Sequence, residues 1–468
     1  MTNNYQELPV KKNEKIKVNF EDLTSEGLGV AKVDGYPLFV VDGLPGETAI
    51  VKVTKLGKSY GFARIEERLT TSQDRIPTRD VLGTRVGTMP LQHLRYEAQL
   101  AFKQNMVTQD FKRIAKLPNI EVLPTIGMNE PWGYRNKAQI PVREKEGKLQ
   151  TGFFRKNTHE LIPMENFHIQ DPKIDEAIVK VRDILQEFNV KAYDERKHIG
   201  NIRHIMVRRG YYTCEMMIVL VTRTAKLFPK SKIIPAILEA LPEVVSIVQN
   251  VNPKRSNVIL GEETIILHGE DRYHDQLLGL TFGVSSKSFY QINPLQTEIL
   301  YKLALEAAQL SGEETVIDAY CGIGTISLAL AQKAKQVYAM EIVPDAIEVA
   351  KENAANNQID NVVFEVGAAE EVMPKWAEAG IKADVIVVDP PRKGLDVTFI
   401  EAAVAVNPER IVYVSCNPAT LARDLRILAD NGYEATQAQP VDLFPQTLHV
   451  ETIVLLSHKN PQTSPPSL

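Results

Sequence analysis

The chain is poor in cysteine and has no long hydrophobic run. Its 468 residues include three cysteines, Cys214, Cys321 and Cys416. These are too few for a disulfide framework, and too few for a metal site with four thiolate ligands and a separate reactive thiol. No apolar stretch is long enough to span a bilayer. Residues 1–15 contain no apolar segment of the kind that secretory signals carry. These absences predict a cytoplasmic protein without a membrane segment.

The charge is divided unevenly between the two ends of the chain. The net charge is -5 overall, but residues 1–280 carry +6 and residues 281–468 carry -11. A basic front half is typical of proteins that contact a polyanion such as RNA. The alternative is that both halves are ordinary solvated surfaces. The length predicts more than one hydrophobic core.

Residues 1–70 are predicted to form a small β-barrel of the OB kind. Five short apolar or alternating runs are separated by glycine-rich turns, which is the pattern of a closed all-β module. Such barrels often bind single-stranded nucleic acid through aromatic and basic side chains. The alternative is a barrel with only a structural role. The candidate contacts are Lys52, Lys55, Lys58, Tyr60, Phe62 and Arg64.

Residues 71–280 are predicted to form a central α+β domain. A helix at 91–117 would be able to pack against the C-terminal domain, with Leu94, Ala98, Phe102, Met106 and Val107 near helical spacing. Cys214 alternates with apolar residues and is expected in the core. Several predicted strands carry cations near aromatic residues, which suits an RNA backbone with stacked bases. The basic residues are Arg135, Lys137, Arg155, Lys156, Arg203, His204, Arg208 and Arg209; of these, Arg135, Lys137 and Arg203 are selected as RNA contacts.

Residues 281–460 alternate strands and helices in a βαβ pattern. Uniformly apolar runs such as Ala383–Val388 are typical of parallel strands that are covered on both faces. The last two strands follow each other without a helix, so they are expected to pair as an antiparallel hairpin. The prediction is therefore a Rossmann-like α/β domain that ends in a hairpin. Residues 461–468, rich in proline and serine, are expected to be disordered. The predicted parallel strands are Thr315–Ala319, Gln336–Met340, Val362–Val366, Ala383–Val388 and Ile411–Val414.

Acidic residues follow three of these strands and predict a nucleoside site. Gly322 and Gly324 lie in the turn after the first strand, where backbone amides can approach a ligand closely. Asp318, Glu341 and Asp389 stand at or directly after strand ends. No third glycine completes the dinucleotide motif. An acidic pocket therefore favours a cationic nucleoside, S-adenosylmethionine. The alternative is that these acids only cap helices and turns.

A thiol at a strand end suggests covalent catalysis. Cys416 follows the apolar strand 411–414 in the motif "VSCNP". A thiolate that adds to C6 of a pyrimidine makes C5 nucleophilic, and a base must then remove the C5 proton. Glu451, at the start of the last strand, is the candidate base. Cys321 is a weaker alternative nucleophile because it lies inside the glycine turn. The target base would have to be single-stranded or flipped out.

Six motifs together resemble the RNA uracil-C5 methyltransferase family, most closely its 23S ribosomal RNA branch. They are "SFYQINPLQTEILY", "DAYCGIGTISLALA", "AMEIVPDAIEVAKENAANN", "VVDPPRKGLD", "VSCNPATLARDL" and "HVETIVLL". The N-terminal module resembles the TRAM domain. The resemblance implies a monomer that methylates uridine in 23S rRNA with S-adenosyl-L-methionine and releases S-adenosyl-L-homocysteine. It implies Cys416 as nucleophile, Glu451 as base, Phe289 stacking on the flipped base, and Gln291, Tyr320, Glu341 and Asp389 as cofactor contacts.

The sequence departs from the family in one respect and leaves rival functions open. Many relatives hold an iron–sulfur cluster with four cysteines, whereas the segment before "LQHL" has none here, so no cluster is expected. A cytosine-C5 enzyme typically has a Pro-Cys motif where this chain has Asp389-Pro390-Pro391. An adenine N6 enzyme usually has Asn-Pro-Pro-aromatic there. Two further rivals are a tRNA uracil-C5 methyltransferase and a non-catalytic RNA-binding assembly factor.

Overall fold

In a computed structural model of the chain, which describes residues 8–156, 158–227 and 229–458, the N-terminal module is a closed barrel. Its strand order is β1-β2-β3-β5-β4, closed by antiparallel pairing of β1 with β4. Alternate side chains such as Val18, Leu38 and Val51 fill the interior. The strands are β1 Lys15–Leu23, β2 Gly29–Val33, β3 Tyr36–Val40, β4 Thr48–Leu56 and β5 Gly61–Arg68. The five predicted strands are confirmed; segment 461–468, predicted to be disordered, lies outside the described residues.

The helix that follows the barrel differs from the prediction at its start and on its buried face. Leu91–Leu94 form a turn, and the helix begins at Tyr96. Its buried side chains are Gln99, Lys103 and Val107, so the predicted apolar stripe through Ala98 and Phe102 is wrong. The polar face is buried because the catalytic domain supplies hydrogen-bond partners for it. The elements are α1 Val81–Val86, α2 Tyr96–Asp110 with a π-helical turn over Phe111–Ala115, and β6 Glu121–Val122.

The central domain is a seven-stranded sheet in the order β13-β12-β11-β10-β7-β8-β9. Helices α3 and α4 cover one face, and β14 and β15 form a separate hairpin. The elements are β7 Lys137–Lys145, β8 Lys148–Phe154, β9 Leu161–Pro163, α3 Pro172–Glu187, β10 Ile202–Arg209, β11 Met216–Thr222, α4 Lys230–Ala240, β12 Val244–Val251, β13 Glu263–His268, β14 Tyr273–Leu277 and β15 Leu280–Val284.

Cys214 does not lie in the core, contrary to the expectation. It is exposed, with φ of 62°, in the turn between β10 and β11. The turn forms because Asp275 accepts hydrogen bonds from the backbone N–H groups of Tyr211 and Tyr212. The strand therefore ends before Cys214, and apolar alternation alone did not reveal the turn.

The catalytic domain is a nine-stranded, mostly parallel sheet with helices on both faces. The main strand order is β18-β17-β16-β19-β20-β23-β22-β6, so β6 extends this sheet from outside the domain. The predicted antiparallel hairpin is confirmed as β22 and β23. The elements are α5 Pro294–Ala308, β16 Thr315–Ala319, α6 Thr325–Ala331, β17 Gln336–Glu341, α7 Pro344–Asn356, β18 Val362–Val366, α8 Ala369–Glu378, β19 Val385–Val388, α9 Val397–Val406, β20 Arg410–Ser415, α10 Pro418–Asp430, β21 Tyr433–Glu434, β22 Gln437–Val441 and β23 Glu451–His458.

The segment that links barrel and sheet packs on the catalytic domain. Val107, Phe111 and Ala115 join a core with residues of α10 and the sheet. The loop before this segment is held by the buried side-chain amide of Gln92. This amide accepts a hydrogen bond from the backbone N–H of Asp80 and donates one to the carbonyl oxygen of Asp80. Within the described residues, no helix has both the length and the apolar composition needed to cross a membrane.

Candidate active site

The predicted catalytic and cofactor residues meet along one edge of the nine-stranded sheet. Strands β17, β16, β19 and β20 are parallel neighbours, so their carboxyl ends lie side by side. Those ends carry Glu341, Tyr320, Asp389 and Cys416, in that order. Strand β23 runs antiparallel to β20, so its first residue, Glu451, lies at the same edge. The carboxyl edge of a doubly wound sheet is where such folds bind ligands.

Cys416 and Glu451 lie opposite each other at the end of one strand pair. Ser415 pairs with Thr452, so the next residue of β20 faces the preceding residue of β23. Glu451 is buried, whereas Cys416 is half-buried. The Asn417 side chain accepts from the N–H of Ala419 and donates to the carbonyl oxygen of Arg392. The loop that carries the thiol is therefore fastened to the loop that follows Asp389.

Burial raises the pKa values of the thiol and of both carboxylates at this edge. Burial raises the pKa of Cys416 to about 11, the charges of Glu451 and Asp389 add to the rise, and Arg392 opposes it. Burial also raises the pKa of Glu451 well above its ordinary value and that of Asp389 to about 7. Buried acids in mutual repulsion are stabilised by a cation placed among them. Clusters of this kind mark functional sites.

The turn after β16 is strained and open on one side. Tyr320 has φ of 72°, a conformation that non-glycine residues rarely adopt. Gly322 also has a positive φ of 57°, and no atom lies within 4 Å of the position that a Cβ would occupy. The Glu341 carboxylate accepts hydrogen bonds from the N–H groups of Gly322 and Val343. Strain of this kind is retained where a ligand site requires it.

Asp318 is one of the three acids by which the sequence predicts the nucleoside site, although it was not selected as a cofactor contact. Its Oδ2 accepts from the Ser327 hydroxyl, whereas Oδ1 is buried with no hydrogen-bond partner among the described residues. Burial raises its pKa to about 7; the Ser327 hydrogen bond opposes this, and Asp389 and Glu341 add to it. An unsatisfied buried oxygen requires a ligand or water that donates a hydrogen bond. The sequence signal for a ligand contact at Asp318 was its position in the last residues of a predicted strand.

Comparison with known proteins identifies the family. Residues 279–459 match the tRNA (Uracil-5-)-methyltransferase family and residues 9–65 match the TRAM domain. An uncharacterized RNA methyltransferase of Enterococcus faecalis is 60% identical over 449 residues, covering 96% of this chain and 98% of that protein. One of Lactiplantibacillus plantarum is 53% identical and covers 97% and 99%. The chain belongs to the RNA uracil-C5 methyltransferase family.

A solved structure extends this likeness to almost the whole fold. The tRNA (uracil-54, C5)-methyltransferase of Pyrococcus abyssi, in complex with S-adenosyl-L-homocysteine, superposes with a TM-score of 0.75. It is 26% identical and covers 94% of this chain and 100% of that one. The predicted family, the combination of a barrel with a methyltransferase sheet, and the class of S-adenosylmethionine-dependent RNA methyltransferase are thus confirmed.

The crevice of this RNA methyltransferase fits S-adenosylmethionine on its own chemistry. The cofactor is a cationic nucleoside, and the crevice offers the unsatisfied Asp318 oxygen and the acids Glu341 and Asp389. Gln291 is buried and hydrogen-bonds to the Tyr301 hydroxyl, which lies close to Asp389 and Asp318. Among the described residues, no cluster of three or more His, Cys, Asp or Glu side chains could hold a metal ion.

The predicted RNA contacts of the methyltransferase divide into two groups. Phe289 is 68% exposed and stands two residues before the buried Gln291, and Arg135 and Lys137 line a cavity shared with the loop before β23. The prediction of Arg203 as an RNA contact is wrong. Its guanidinium is buried and donates to the carbonyl oxygens of Asn252, Lys254 and Ser256, so it fastens a loop and does not face solvent.

Proposed function

We propose that this enzyme methylates C5 of uridine in 23S ribosomal RNA, with Cys416 as nucleophile and Glu451 as general base. The proposal rests on one observation. Cys416, directly after β20, and Glu451, at the start of β23, face each other beside Asp389. A nucleophile and a base on one rim can act on adjacent atoms of one ring.

Cys416 has the surroundings of a thiol that reacts only with a bound substrate. Its raised pKa keeps it protonated at neutral pH before RNA binds. As Sγ bonds to C6 of the uracil, the thiol proton passes to water and the C5=C6 electron pair shifts toward C5 and the C4 carbonyl, which makes C5 nucleophilic. S-adenosylmethionine, when bound, supplies the electrophilic methyl group.

Glu451 would complete the cycle by accepting the C5 proton. Its burial and its nearness to Asp389 raise its pKa, with Arg392 opposing; a carboxylate with a raised pKa is a stronger proton acceptor. When the C5 proton moves to Glu451, its bonding electrons re-form the C5=C6 double bond, the C6–S bond breaks, and the sulfur leaves as a thiolate that takes up a proton from water. Gln291, Tyr320, Glu341 and Asp389 would hold the cofactor, and S-adenosyl-L-homocysteine would be the product.

The RNA would present a flipped uridine to this edge. Phe289, an exposed aromatic ring close to Gln291 in the chain, is suited to stack on the flipped base. Arg135 and Lys137 are suited to bind the backbone phosphates. The reaction needs one protomer, and the substrate is an RNA of the cytoplasm, so we propose a cytoplasmic monomer.

A transfer RNA is the second candidate substrate. The Pyrococcus abyssi relative is named as a tRNA (uracil-54, C5)-methyltransferase, and it matches the barrel as well as the catalytic sheet. The barrel therefore does not separate the two substrates. The preference for 23S rRNA rests on the motifs that resemble that branch.

The proposal is tested with RNA in which 5-fluorouridine replaces uridine. Glu451 cannot remove fluorine from C5. The wild-type enzyme with S-adenosylmethionine should therefore stall as a covalent protein–RNA complex, seen as a shifted band on a denaturing gel. Cys416→Ala should form no complex and methylate nothing, and Glu451→Gln should accumulate the methylated adduct on ordinary RNA. Methylation by Cys416→Ala would exclude the mechanism. Mapping 5-methyluridine in 23S rRNA and tRNA from cells lacking the protein decides between the two substrates.

A further inference from the structure

A cavity next to the catalytic edge has no role in the chemistry just described. It has a volume of about 480 Å³, in the range of small-molecule sites. One wall is the start of β7, with Arg135, Lys137 and Gln139, and the other is the loop residues Thr447, Leu448 and His449. Glu451 follows His449 by two residues, about 6.6 Å of extended chain. Cys416 does not line the cavity. The cavity therefore lies next to the candidate catalytic crevice and is not part of it.

The basic wall of this cavity lacks a counter-charge. Among the described residues, no carboxylate lies within ion-pair distance of Arg135 or Lys137, and the charges that act on Lys137 are cations. Burial lowers the pKa of Lys137 to about 7, and Arg208 and Arg135 add to this effect. An anion in the cavity would stabilise both charged forms.

A buried polar group points to a second feature of the ligand. Gln170 is 4% exposed and lines the cavity, and its Oε1 atom has no hydrogen-bond partner among the described residues. The neighbouring wall is aromatic, with Phe153 and Phe167 packed edge to face at 5.0 Å between ring centroids. A ligand that satisfies these groups has a flat apolar body with a hydrogen-bonding edge.

We infer that this cavity binds a second nucleotide of the substrate RNA, adjacent to the target uridine. Its phosphate would lie between Arg135 and Lys137, and its base would lie against Phe153 and Phe167 with its polar edge at Gln170. The inference rests on the proposed function, because the neighbouring crevice is taken as the site of the target base. Specificity for the sequence beside the target would then be determined here.

Binding is measured separately from catalysis to test this site. The probe is a fluorescent nine-nucleotide single-stranded RNA with one central uridine, bound to full-length Cys416→Ala protein and followed by anisotropy. A series of probes lacks the base at one flanking position at a time. We expect Lys137→Met to weaken binding about tenfold and to reduce the salt dependence by about one counterion. Gln170→Leu should weaken it about fivefold, as for one lost hydrogen bond. Lys148→Met, at an exposed lysine of the same sheet, is the matched control and should bind like the parent.

The abasic probes locate the nucleotide. At one flanking position, removal of the base should weaken binding to the Cys416→Ala protein. The same removal should not further weaken binding to the Cys416→Ala protein that also carries Gln170→Leu. If no position behaves in this way, or if both variants bind like the Lys148→Met control, the inference is wrong. If uridine monophosphate alone occupies the cavity and competes as well as the RNA, the site serves a free nucleotide and the inference is also wrong.

Failure here can be distinguished from failure of the proposed function. With Cys416 intact, the same two variants should raise KM for RNA methylation and retain kcat, and they should still form the covalent complex on 5-fluorouridine RNA at high RNA concentration. A wild-type enzyme that forms no such complex contradicts the proposed function and leaves the binding measurements valid. Melting temperatures no lower than that of the Lys148→Met control exclude unfolding as the cause of any loss.

Discussion

Two lysines of this protein are removed from solvent and are stabilised differently. Lys103 is fully buried, and its Nζ lies 2.5 Å from Asp442 Oδ1 and 3.1 Å from the carbonyl oxygen of Phe444. Lys137 is half-buried at a cavity wall, and no carboxylate of the described residues is within ion-pair distance of it. The first charge is neutralised by the fold itself. The second is left for a ligand, which is the physical difference between a structural and a binding cation.

Two arginines repeat the contrast. Arg203 donates to three carbonyl oxygens and stacks on the Tyr193 ring at 4.7 Å from its centroid. Arg135 lines the cavity beside Lys137, and its side chain hydrogen-bonds with that of Tyr134. All four residues are basic, and variants at them test whether each charge is neutralised by the fold or left for a ligand.

Lys103→Met should have the largest effect, a loss of about 4 kcal/mol in the free energy of unfolding, because it leaves the Asp442 carboxylate buried without its partner. Urea denaturation measures the change. The double variant Lys103→Met with Asp442→Asn should recover part of the loss, since the remaining amide is neutral. A single variant within about 1 kcal/mol of wild type would show that the pair is not the structural charge that we describe.

The loop held by this pair leads to Glu451, the proposed general base, so the variant should also affect catalysis. Gln99 and Gln446 exchange hydrogen bonds, and Tyr134 donates to the carbonyl oxygen of Pro445, so residues 442–449 are fastened on several sides. Below the melting temperature, Lys103→Met should lower kcat more than it raises KM. Partial return of kcat in Lys103→Arg would support a positioning role.

Arg203→Ala should lower the free energy of unfolding by about 3 kcal/mol, since three carbonyl oxygens, one of them that of the buried Asn252, lose their donor and the side chain leaves a void. The salt dependence of RNA binding should not change, because the guanidinium does not face the RNA. This separates it from Lys137→Met, which should reduce that dependence. A reduced salt slope in Arg203→Ala would contradict our assignment of this residue to the fold.

The sequence alone was sufficient to predict the main strands and helices and to group the residues of the candidate catalytic edge. Alternating βαβ units fix which strand ends lie on one edge, so Glu341, Asp389 and Cys416 could be grouped from their positions after strands. Glu451 joined them once the last two strands were predicted as a hairpin. These inferences depend on local pattern and on the topology that the pattern implies.

The partners of polar residues could not be predicted in this way. Gln99 and Lys103 lie on a helix whose apolar residues suggested another buried face, and their partners Gln446 and Asp442 are more than 330 residues away. Arg203 and Arg135 both stand in segments that the sequence predicts as cation-bearing strands of the central domain. Whether a cation is satisfied inside the fold depends on these distant contacts, which leave no periodic signal in the chain.

Lys137→Met should cause no loss of stability, and should instead change how stability depends on pH. The pKa of Lys137 is about 7 in the folded protein and 10.5 ordinarily, so between these values the unfolded chain binds more protons. Stability of the wild type should therefore rise with pH across this window, and the penalty should be complete below pH 7. Lys137→Met lacks the penalty, so it should be more stable than wild type at pH 7, with the difference shrinking toward pH 10. Urea midpoints at several pH values measure this, with Lys148→Met as the control; an unchanged pH dependence would mean that Lys137 already has an anionic partner within the fold.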